Sequence, residues 1–344
     1  MAHDSRHGAD AVKFRKKCMA LVRYFAALVS LAILVAITAP AMNADDYPSR
    51  PVKVIVPFGA GGPTDVYTRA IAEELGKSLH QPFIMENRPG AGTTIGTDTV
   101  AKSPPDGYTL LMVSGTQAVN ETLYVHKPYQ LMLDLVPIAP LIDTDLVLVV
   151  HPSVPAKNLS ELLALARAKP GTINYGSSGP GSNYHMAGEL LKNLTGVDIV
   201  HVPYKGSTGA RNDILSGQVQ MLFDSVPTMA PMIKAGLVRA LGTSGETRSP
   251  TLPDVPTIAE AGVPGFNATL WVGFMAPAAT PQPIVDKLNR EITKILARPD
   301  IKEAWEKTGA TPIAMTQPEF KSFMDAQVAK WANVIKTNQI PPIN

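Results

Sequence analysis

Two glycine-rich loops carry the residue types best suited to binding chemistry in this chain. The first follows the apolar run Val52–Val56 and reads Phe58-Gly-Ala-Gly-Gly-Pro-Thr-Asp65. Its glycines favour backbone conformations that other residues avoid, and Pro63 suits the first turn of a helix. Asp65 falls in that same turn, where the helix dipole favours a negative side chain. The pattern predicts a strand, a turn and a helix whose free N–H groups would hold a small anion.

A second loop of similar type reads Tyr175-Gly-Ser-Ser-Gly-Pro-Gly-Ser-Asn-Tyr-His185 and also separates a predicted strand from a predicted helix. Ser182 is placed to cap that helix, and the hydroxyls of Ser177 and Ser178 suit an anion. A purely structural turn explains either loop alone. Two such loops, one in each half of the chain, instead favour a ligand site, because loops at the carboxyl ends of strands meet there.

Known enzyme and cofactor motifs do not fit these loops. Gly59-Ala-Gly-Gly-Pro-Thr64 lacks the third glycine of a dinucleotide loop, and Gly176-Ser-Ser-Gly179 is not the nucleophile elbow of a hydrolase. His185 and Glu189 have a spacing that suits a metal on one helix face, but a structural histidine is favoured. We therefore predict no catalytic residue, no metal and no cofactor.

A third motif, Val202-Pro-Tyr-Lys-Gly-Ser207, ends a predicted strand and enters a helix. Tyr204 is interpreted either as a hydrogen-bonding partner of a ligand or as a half-buried aromatic. For Lys205, a solvated side chain is favoured over a pair with a carboxylate. Asp224, at the end of a later strand, either caps the next segment or touches the ligand.

Residues 1–44 have the composition of a signal peptide. Basic residues precede an apolar run of 14 residues from Tyr24 to Ile37, and small residues around Ala41 and Ala44 offer cleavage sites. A bilayer span needs roughly 20 apolar residues, so an uncleaved membrane anchor is the less favoured alternative. The chain's only cysteine, Cys18, lies in this segment.

Removal of the leader changes the charge balance of the chain. The 31 basic and 29 acidic residues of the full sequence fall to 25 and 27, which gives a net charge of −2. This balance does not favour binding to nucleic acid or to an anionic membrane. A mature chain without cysteine has neither disulfides nor thiol chemistry.

Strand-like and helix-like patterns alternate along the rest of the chain, which predicts an α/β fold with largely parallel sheets. Val136–Val150 is longer than a usual strand of about 5–6 residues and is interpreted as a strand that leaves one lobe and enters another. Thr269–Met275 is predicted to be the second crossing. The expected lobes are residues 45–145 with 272–344, and residues 146–271, joined by a hinge around a cleft.

Six motifs then occur in one order along the chain. They are Pro57-Phe-Gly-Ala-Gly-Gly-Pro-Thr-Asp65, Asn87-Arg-Pro-Gly-Ala-Gly92, Pro105-Asp-Gly-Tyr-Thr-Leu110, Ser177-Ser-Gly-Pro-Gly-Ser182 with His185, Val202-Pro-Tyr-Lys-Gly206, and Gln218-Val-Gln-x-x-Phe-Asp224. From about Tyr47 to its C-terminus, the chain resembles Bug-type solute-binding receptors, the extracytoplasmic components of tripartite tricarboxylate transporters.

The resemblance implies a two-lobed type II periplasmic-binding-protein fold with two hinge-crossing strands. It also implies a monomeric periplasmic receptor, not an enzyme, that captures a small carboxylate-bearing ligand between its lobes and delivers it to the membrane subunits of a transporter. Two alternatives stay open at this point. One is a ligand-bound partner of a sensor, and the other is a periplasmic hydrolase of small esters or amides.

The family's ligand-binding positions carry over to residues of both lobes. The first loop would contribute Phe58, Ala60, Gly61, Gly62, Thr64 and Asp65, the second lobe Ser177, Ser178, Gly181, Ser182 and His185, and the wall Tyr204 and Asp224. Specificity is expected at the pair Asn183 and Tyr184 and in the segment Ser114-Gly-Thr-Gln-Ala118, with Thr116 as a contact. Asp65 facing a carboxylate is a paradox, which a bridging water, a ligand amine or a purely capping role would each resolve.

Overall fold

A computed structural model describes residues 46–337 and 339–343 of the protein. The segment 1–44 lies outside these residues, so the signal peptide and its alternative, a membrane anchor, stay predictions. No helix among the described residues combines the length and the apolar character that crossing a membrane requires. The described chain from Pro48 onward belongs to one compact unit.

The first glycine-rich loop extends from a parallel sheet. Strand β1 (Val52–Val56) lies between β2 (Phe83–Asn87) and β3 (Thr109–Ser114) and is parallel to both. Helices α1 (Pro63–Leu79) and α2 (Thr94–Ala101) make the two connections. The predicted alternation of strands and helices in this part of the chain is confirmed, and α1 begins at the predicted proline.

The second glycine-rich loop extends from a sheet of the same kind. The elements that follow β3 are α3 (Gly115–Leu123), α4 (Leu131–Asp134), β4 (Leu135–Val150), α5 (Leu159–Ala168), β5 (Asn174–Ser177), α6 (Asn183–Thr195), β6 (Val200–Pro203), α7 (Ser207–Leu215), β7 (Met221–Ser225), α8 (Val226–Lys234) and β8 (Arg239–Thr243). Strand β5 lies between β6 and β7 and is parallel to both. The loops after β5 and β6 therefore leave the same edge of the sheet.

Strand β4 joins the two sheets. The chain closes with β9 (Thr269–Pro277), α9 (Gln282–Ala297), α10 (Pro299–Glu306), β10 (Ala310–Pro312) and α11 (Gln317–Thr337). From Leu135 to Asp145, β4 pairs with β9, and from Leu146 to Val150 it pairs with β7 and β8. The prediction of one long strand that passes between two groups of strands is confirmed. The lobe boundaries at 145/146 and 271/272 stay a prediction.

The structure contains helices that the sequence patterns did not predict. Helix α3 begins with a capping box, in which Ser114 Oγ accepts the N–H of Thr116 at 3.3 Å and Gln117 Oε1 accepts the N–H of Ser114 at 3.0 Å. A serine followed three residues later by glutamine is a helix-start signal, and it lies in the segment where ligand specificity is expected. Helix α8 contains Pro227 and Pro231, which read as breaks in the sequence. The short elements α4 and β10 were also missed.

The closing helices pack against β4 and β9. Asn289 of α9 donates a hydrogen bond to the carbonyl oxygen of Ile138 at 2.8 Å. Phe320 of α11 packs edge-on against Trp271 of β9, with ring centroids 6.3 Å apart. Gly273 of β9 leaves room for the Phe320 ring, because a Cβ atom at position 273 would lie 2.5 Å from Phe320 Cζ. The C-terminal segment thereby supports the strands that lead into the cavity described below.

Two partly buried carboxyl groups lie on β4 just before its pairing changes from β9 to β7. Burial raises the pKa of Asp143 and of Asp145 to about 6. Repulsion from Asp143 adds to the rise at Asp145. At Asp143 a hydrogen bond with Thr269 and the charge of Lys330 oppose the rise. The sequence allows either solvent-facing side chains or polar groups of a hinge at these two positions, and the partial burial fits polar groups within the joining strand better.

We expect the double substitution Asp143→Asn and Asp145→Asn to stabilise the protein at neutral pH. The ordinary pKa of 3.8 applies to the unfolded chain, so the native state binds these protons more tightly. The two carboxylates therefore lower the free energy of unfolding fully above pH 6, and this destabilisation disappears as the pH falls through about 6 towards 4. Denaturant unfolding at several pH values gives the free energy of unfolding of the variant and of wild type. Groups that titrate alike in the two proteins cancel in the difference between these free energies.

The exposed Asp254→Asn substitution is the matched control for this experiment, and it should change stability little at any pH. A double variant that is no more stable than wild type at neutral pH would show that the two carboxylates are well solvated in the native state.

Candidate functional site

The main cavity has a volume of about 310 Å³ and lies at the carboxyl ends of the parallel strands. The loops after β1, β3, β5 and β6 all reach it, which is the expected ligand position in an open α/β sheet. The two glycine-rich loops therefore face each other across it. The lining consists of Phe58, Gly59, Ala60, Gly62, Pro63, Thr64, Ser114, Thr116, Ser178, Asn183, Tyr184, Tyr204, Lys205, Gly206, Ser207, Thr208, Gly209 and Leu270.

Four helices begin at this cavity, and they differ in how their N-termini are capped. Helices α3 and α6 are capped by their own serines, Ser114 and Ser182. Helices α1 and α7 instead begin after Gly62 and Gly206, which have no side chain that can cap them. Pro63 has no N–H group, so the N–H groups of Thr64 and Asp65 in α1 and those of the first turn of α7 remain for a bound anion, together with the positive ends of two helix dipoles.

One cation and several uncommitted polar groups complete the lining. Lys205 is the only charged residue that lines the main cavity, and it forms no ion pair with a described residue. The hydroxyls of Thr64, Thr116 and Ser178 make no hydrogen bond to any described residue. The side-chain oxygen of Asn183 is buried without a partner among them. Because buried polar groups in native proteins are normally paired, this lining favours a polar ligand.

A second cavity, of about 480 Å³, adjoins the main one. The two cavities share Phe58, Gly59, Thr116, Ser178, Tyr204 and Lys205. Beyond this shared wall, the second cavity is lined by Pro57, Pro89, Gly90, Ala91, Gly92, Thr93, Tyr124, Gly179, Pro180 and Ser182.

Asp65 braces the first loop from inside. It is only 4% exposed. Its carboxylate accepts hydrogen bonds from the N–H of Gly61 at 3.1 Å and the amide of Asn87 at 2.9 Å, and it pairs with Arg69 at 3.2 Å. Asn87 also donates to the carbonyl oxygen of Phe58 at 3.1 Å. Of the three roles that the sequence left open for Asp65, this geometry favours the local structural one.

Ser177 and two histidines brace the second loop. Ser177 Oγ accepts the N–H of Gly179 at 3.0 Å and lies 2.6 Å from His201 Nε2. His185 stacks on His201 with ring centroids 4.0 Å apart, and its Nδ1 accepts the N–H of Gly181 at 3.1 Å. Burial lowers the pKa of His185 to about 4 and that of His201 to about 3. Both rings are therefore neutral at neutral pH and keep this geometry.

The wall formed by β6 and α7 is fixed by bonds of its own. The Tyr204 hydroxyl donates to Asp213 at 2.5 Å, so its oxygen is committed while its ring lines both cavities. Asp224 has no exposed surface and pairs with Arg211 at 3.0 Å. Arg211 in turn donates to Ser207 Oγ at 2.8 Å, at the start of α7. This chain of contacts sets the position of the α7 N-terminus.

The structure places the predicted site residues in two layers. Those that line the main cavity are Phe58, Ala60, Gly62, Thr64, Thr116, Ser178, Asn183 and Tyr204, and Ser182 lines the second cavity. The layer behind them, which holds the loops in place, contains Gly61, Asp65, Ser177, Gly181, His185 and Asp224. Ligand contact by each of these residues stays a prediction.

Sequence reasoning underestimated the loop between β6 and α7. Residues 205–209 all line the main cavity. The Lys205 side chain is exposed, as expected, but it is exposed at the cavity. The strand–glycine–helix pattern around Gly206 is of the same type as that of the first loop. This similarity was the signal in the sequence that could have predicted a position at the cavity. Leu270, at the start of β9, had no such signal because only the tertiary fold brings it to the cavity.

Comparison with known proteins identifies the family. Residues 67–340 match the family described as the tripartite tricarboxylate transporter family receptor. The chain belongs to this family. Protein BugT of Bordetella pertussis is 40% identical over 312 residues, which cover 90% of this chain and 96% of BugT. The resemblance to Bug-type receptors is thereby confirmed.

Solved structures agree with the fold of this receptor. Protein Rpa4515 of R. palustris, solved with adipate, has a TM-score of 0.83 and 36% identity, and the match covers 87% of this chain and 100% of that one. The periplasmic binding protein BugD has a TM-score of 0.81 and 34% identity, with coverage of 86% and 100%. The predicted α/β periplasmic-binding-protein fold is confirmed.

We expect Asp65→Ala to destabilise the ligand-free receptor. The substitution removes the acceptor of Gly61 N–H and of the Asn87 amide, and unpaired buried donors cost about 1–3 kcal/mol in the free energy of unfolding. Denaturant unfolding measures the loss. Asp65→Asn, the matched control, keeps an acceptor oxygen and the side-chain shape and should lose less. Unchanged stability combined with weaker acid binding would instead place Asp65 in direct contact with the ligand.

Proposed function

We propose that this receptor binds the carboxylate group of a small organic acid in the main cavity. The observation that carries the proposal is the convergence of Lys205 with the uncapped N-termini of α1 and α7. A carboxylate at this point would accept charge-assisted hydrogen bonds from both sides of the cavity. Several such bonds with modest apolar burial are consistent with micromolar affinity, which corresponds to about −8 kcal/mol.

The uncommitted hydroxyls support the same ligand. Thr64 and Thr116 stand on the side of the first sheet and Ser178 on the side of the second, so one carboxylate would bridge donors from both. An anion that gains bonds to both sides favours the arrangement in which they are close together. Ligand capture and closure of the cleft would then be a single event.

A hydrolase is less well supported than a binding protein. Ser177 Oγ lies 2.6 Å from His201 Nε2, which is the distance of a nucleophile and its base. However, Ser177 has no exposed surface, and its hydroxyl is already engaged with the second loop. The pKa of His201 is lowered to about 3 by burial and by repulsion from His185, which makes it a poor base at neutral pH.

The biological role is proposed from the family. The leader would direct the receptor to the periplasm, where it would deliver its ligand to the membrane subunits of a tripartite tricarboxylate transporter. The adipate in the structure of Rpa4515 supports a small carboxylate as ligand. A role as the ligand-bound partner of a sensor would use the same binding step and would differ only in the protein that recognises the receptor.

We expect Lys205→Met to weaken acid binding by about ten- to a hundredfold, because a hydrogen bond to a charged group contributes about 1.5–3 kcal/mol. The ligand-free receptor is prepared by unfolding and refolding. A thermal-shift screen against a panel of mono- and dicarboxylates then selects the acid, and calorimetry compares the variants.

The matched control is Lys157→Met, a substitution of an exposed lysine at the start of α5 that does not line either cavity. It should bind the acid as wild type does. If no acid raises the melting temperature of the refolded protein, or if Lys205→Met binds as tightly as wild type, the proposed carboxylate site is wrong.

A further inference from the structure

We infer that the second cavity receives an uncharged, mostly apolar tail of the ligand, so that the receptor selects monocarboxylates with a tail over dicarboxylates. The inference rests on the proposed carboxylate site in the main cavity. It concerns the part of the ligand beyond the carboxylate, which would extend past the residues shared by the two cavities into the second one.

The two cavities are arranged to be filled by one molecule. Their shared residues include the rings of Phe58 and Tyr204 together with Thr116 and Ser178. A carboxylate held near Lys205 would therefore lie at the wall between the two cavities. The rest of an extended ligand would pass between the two rings into the second cavity.

The walls of the second cavity suit an apolar group. Three prolines line it, Pro57, Pro89 and Pro180, and so does the ring of Tyr124. Lys205, which is shared with the main cavity, is the only charged residue in its lining. A second carboxylate would find no second cation there, and transferring an unpaired charge from water to such a site is unfavourable.

Part of the backbone around the second cavity is already hydrogen-bonded. The N–H of Gly179 is bound by Ser177 Oγ, that of Gly181 by His185 Nδ1, and that of Ser182 by the carbonyl oxygen of Gly179. On the opposite wall, the N–H of Thr93 is bound within its own turn.

The second cavity has a preformed wall. Ala91 and Thr93 adopt left-handed φ angles of 44° and 84°, which are unfavourable for residues with side chains, most of all a β-branched threonine. Asn120 of α3 holds this turn by donating to the carbonyl oxygen of Gly92 at 2.5 Å and to Thr93 Oγ1 at 3.2 Å. Strained turns fixed by their surroundings are found at ligand clamps, and this one keeps the cavity from collapsing.

The test compares matched pairs of acids by calorimetry on the ligand-free receptor. The pairs are butyrate with succinate and hexanoate with adipate, which have equal chain length and differ by one carboxylate. We expect hexanoate to bind about tenfold more tightly than butyrate, since each buried CH2 group adds several-fold to affinity. We also expect each monoacid to bind at least about tenfold more tightly than its diacid, because the second charge has no partner.

A pair of variants tests the reason for this selectivity. Tyr124→Lys adds a cation to the second cavity, and Tyr124→Met is the uncharged control of similar size. The ratio of adipate affinity to hexanoate affinity should rise about tenfold in Tyr124→Lys relative to Tyr124→Met. Each ratio compares two acids on the same variant, so a general loss of stability affects both affinities alike and does not produce this rise.

The possible outcomes separate the two proposals. Wild-type receptor that binds adipate as tightly as hexanoate, or hexanoate no more tightly than butyrate, overturns the tail cavity while leaving the carboxylate site intact. An adipate-to-hexanoate ratio that is the same in both variants also overturns it. Failure of all four acids to bind overturns the carboxylate site itself, and the tail cavity with it.

Discussion

The structure depends on two helix N-termini that face one cavity without caps of their own. Helices α1 and α7 begin after Gly62 and Gly206, and Lys205, which directly precedes Gly206, is the only charged residue among the described residues of the lining. Two positive helix ends and an ammonium group repel one another when they are brought together without an anion. A bound carboxylate turns this repulsion into attraction. That single interaction explains why an otherwise neutral, hydroxyl-rich cavity would both select an acid and close on it.

Most of the polar residues around the cavity serve to hold its loops, not its ligand. Asp65 fixes the first loop through Gly61 and Asn87, and the stacked pair His185 and His201 fixes the second through bonds to its backbone and to Ser177. Their bonds are satisfied within the protein. The hydroxyls of Thr64, Thr116 and Ser178 at the cavity are left without a partner among the described residues, which is the arrangement expected of a preorganised binding site.

The sequence predicted the elements of the fold well, because most of them follow short-range rules. Apolar runs between glycine- and proline-rich turns marked the strands, and Ser182 was identified correctly as the cap of α6. Where local signals competed, prediction failed. Helix α8 was missed because Pro227 and Pro231 read as breaks. Proline is tolerated in the first turn, where Pro227 lies, whereas Pro231 lies inside the helix, which the burial of Met229 holds in place.

The candidate site was less predictable, because the role of each side chain depends on partners that are distant in sequence. Nothing near Tyr204 indicates that its hydroxyl is taken by Asp213, and nothing near Lys205 indicates that the first loop lies opposite. The pair of the fully buried Asp224 with the partly exposed Arg211 likewise joins two segments that the sequence treats separately. Composition and spacing located the loops, and only the tertiary fold decided which residues line the cavity.

The most direct test of this account compares an acid with its own primary amide, for example hexanoate with hexanamide, by calorimetry on the refolded ligand-free receptor. The two molecules have nearly the same shape and differ in charge at the group assigned to Lys205 and the two helix N-termini. We expect the acid to bind and the amide to bind at least about a hundredfold more weakly, since charge-assisted bonds from both sides are lost. Equal affinity for acid and amide would contradict it.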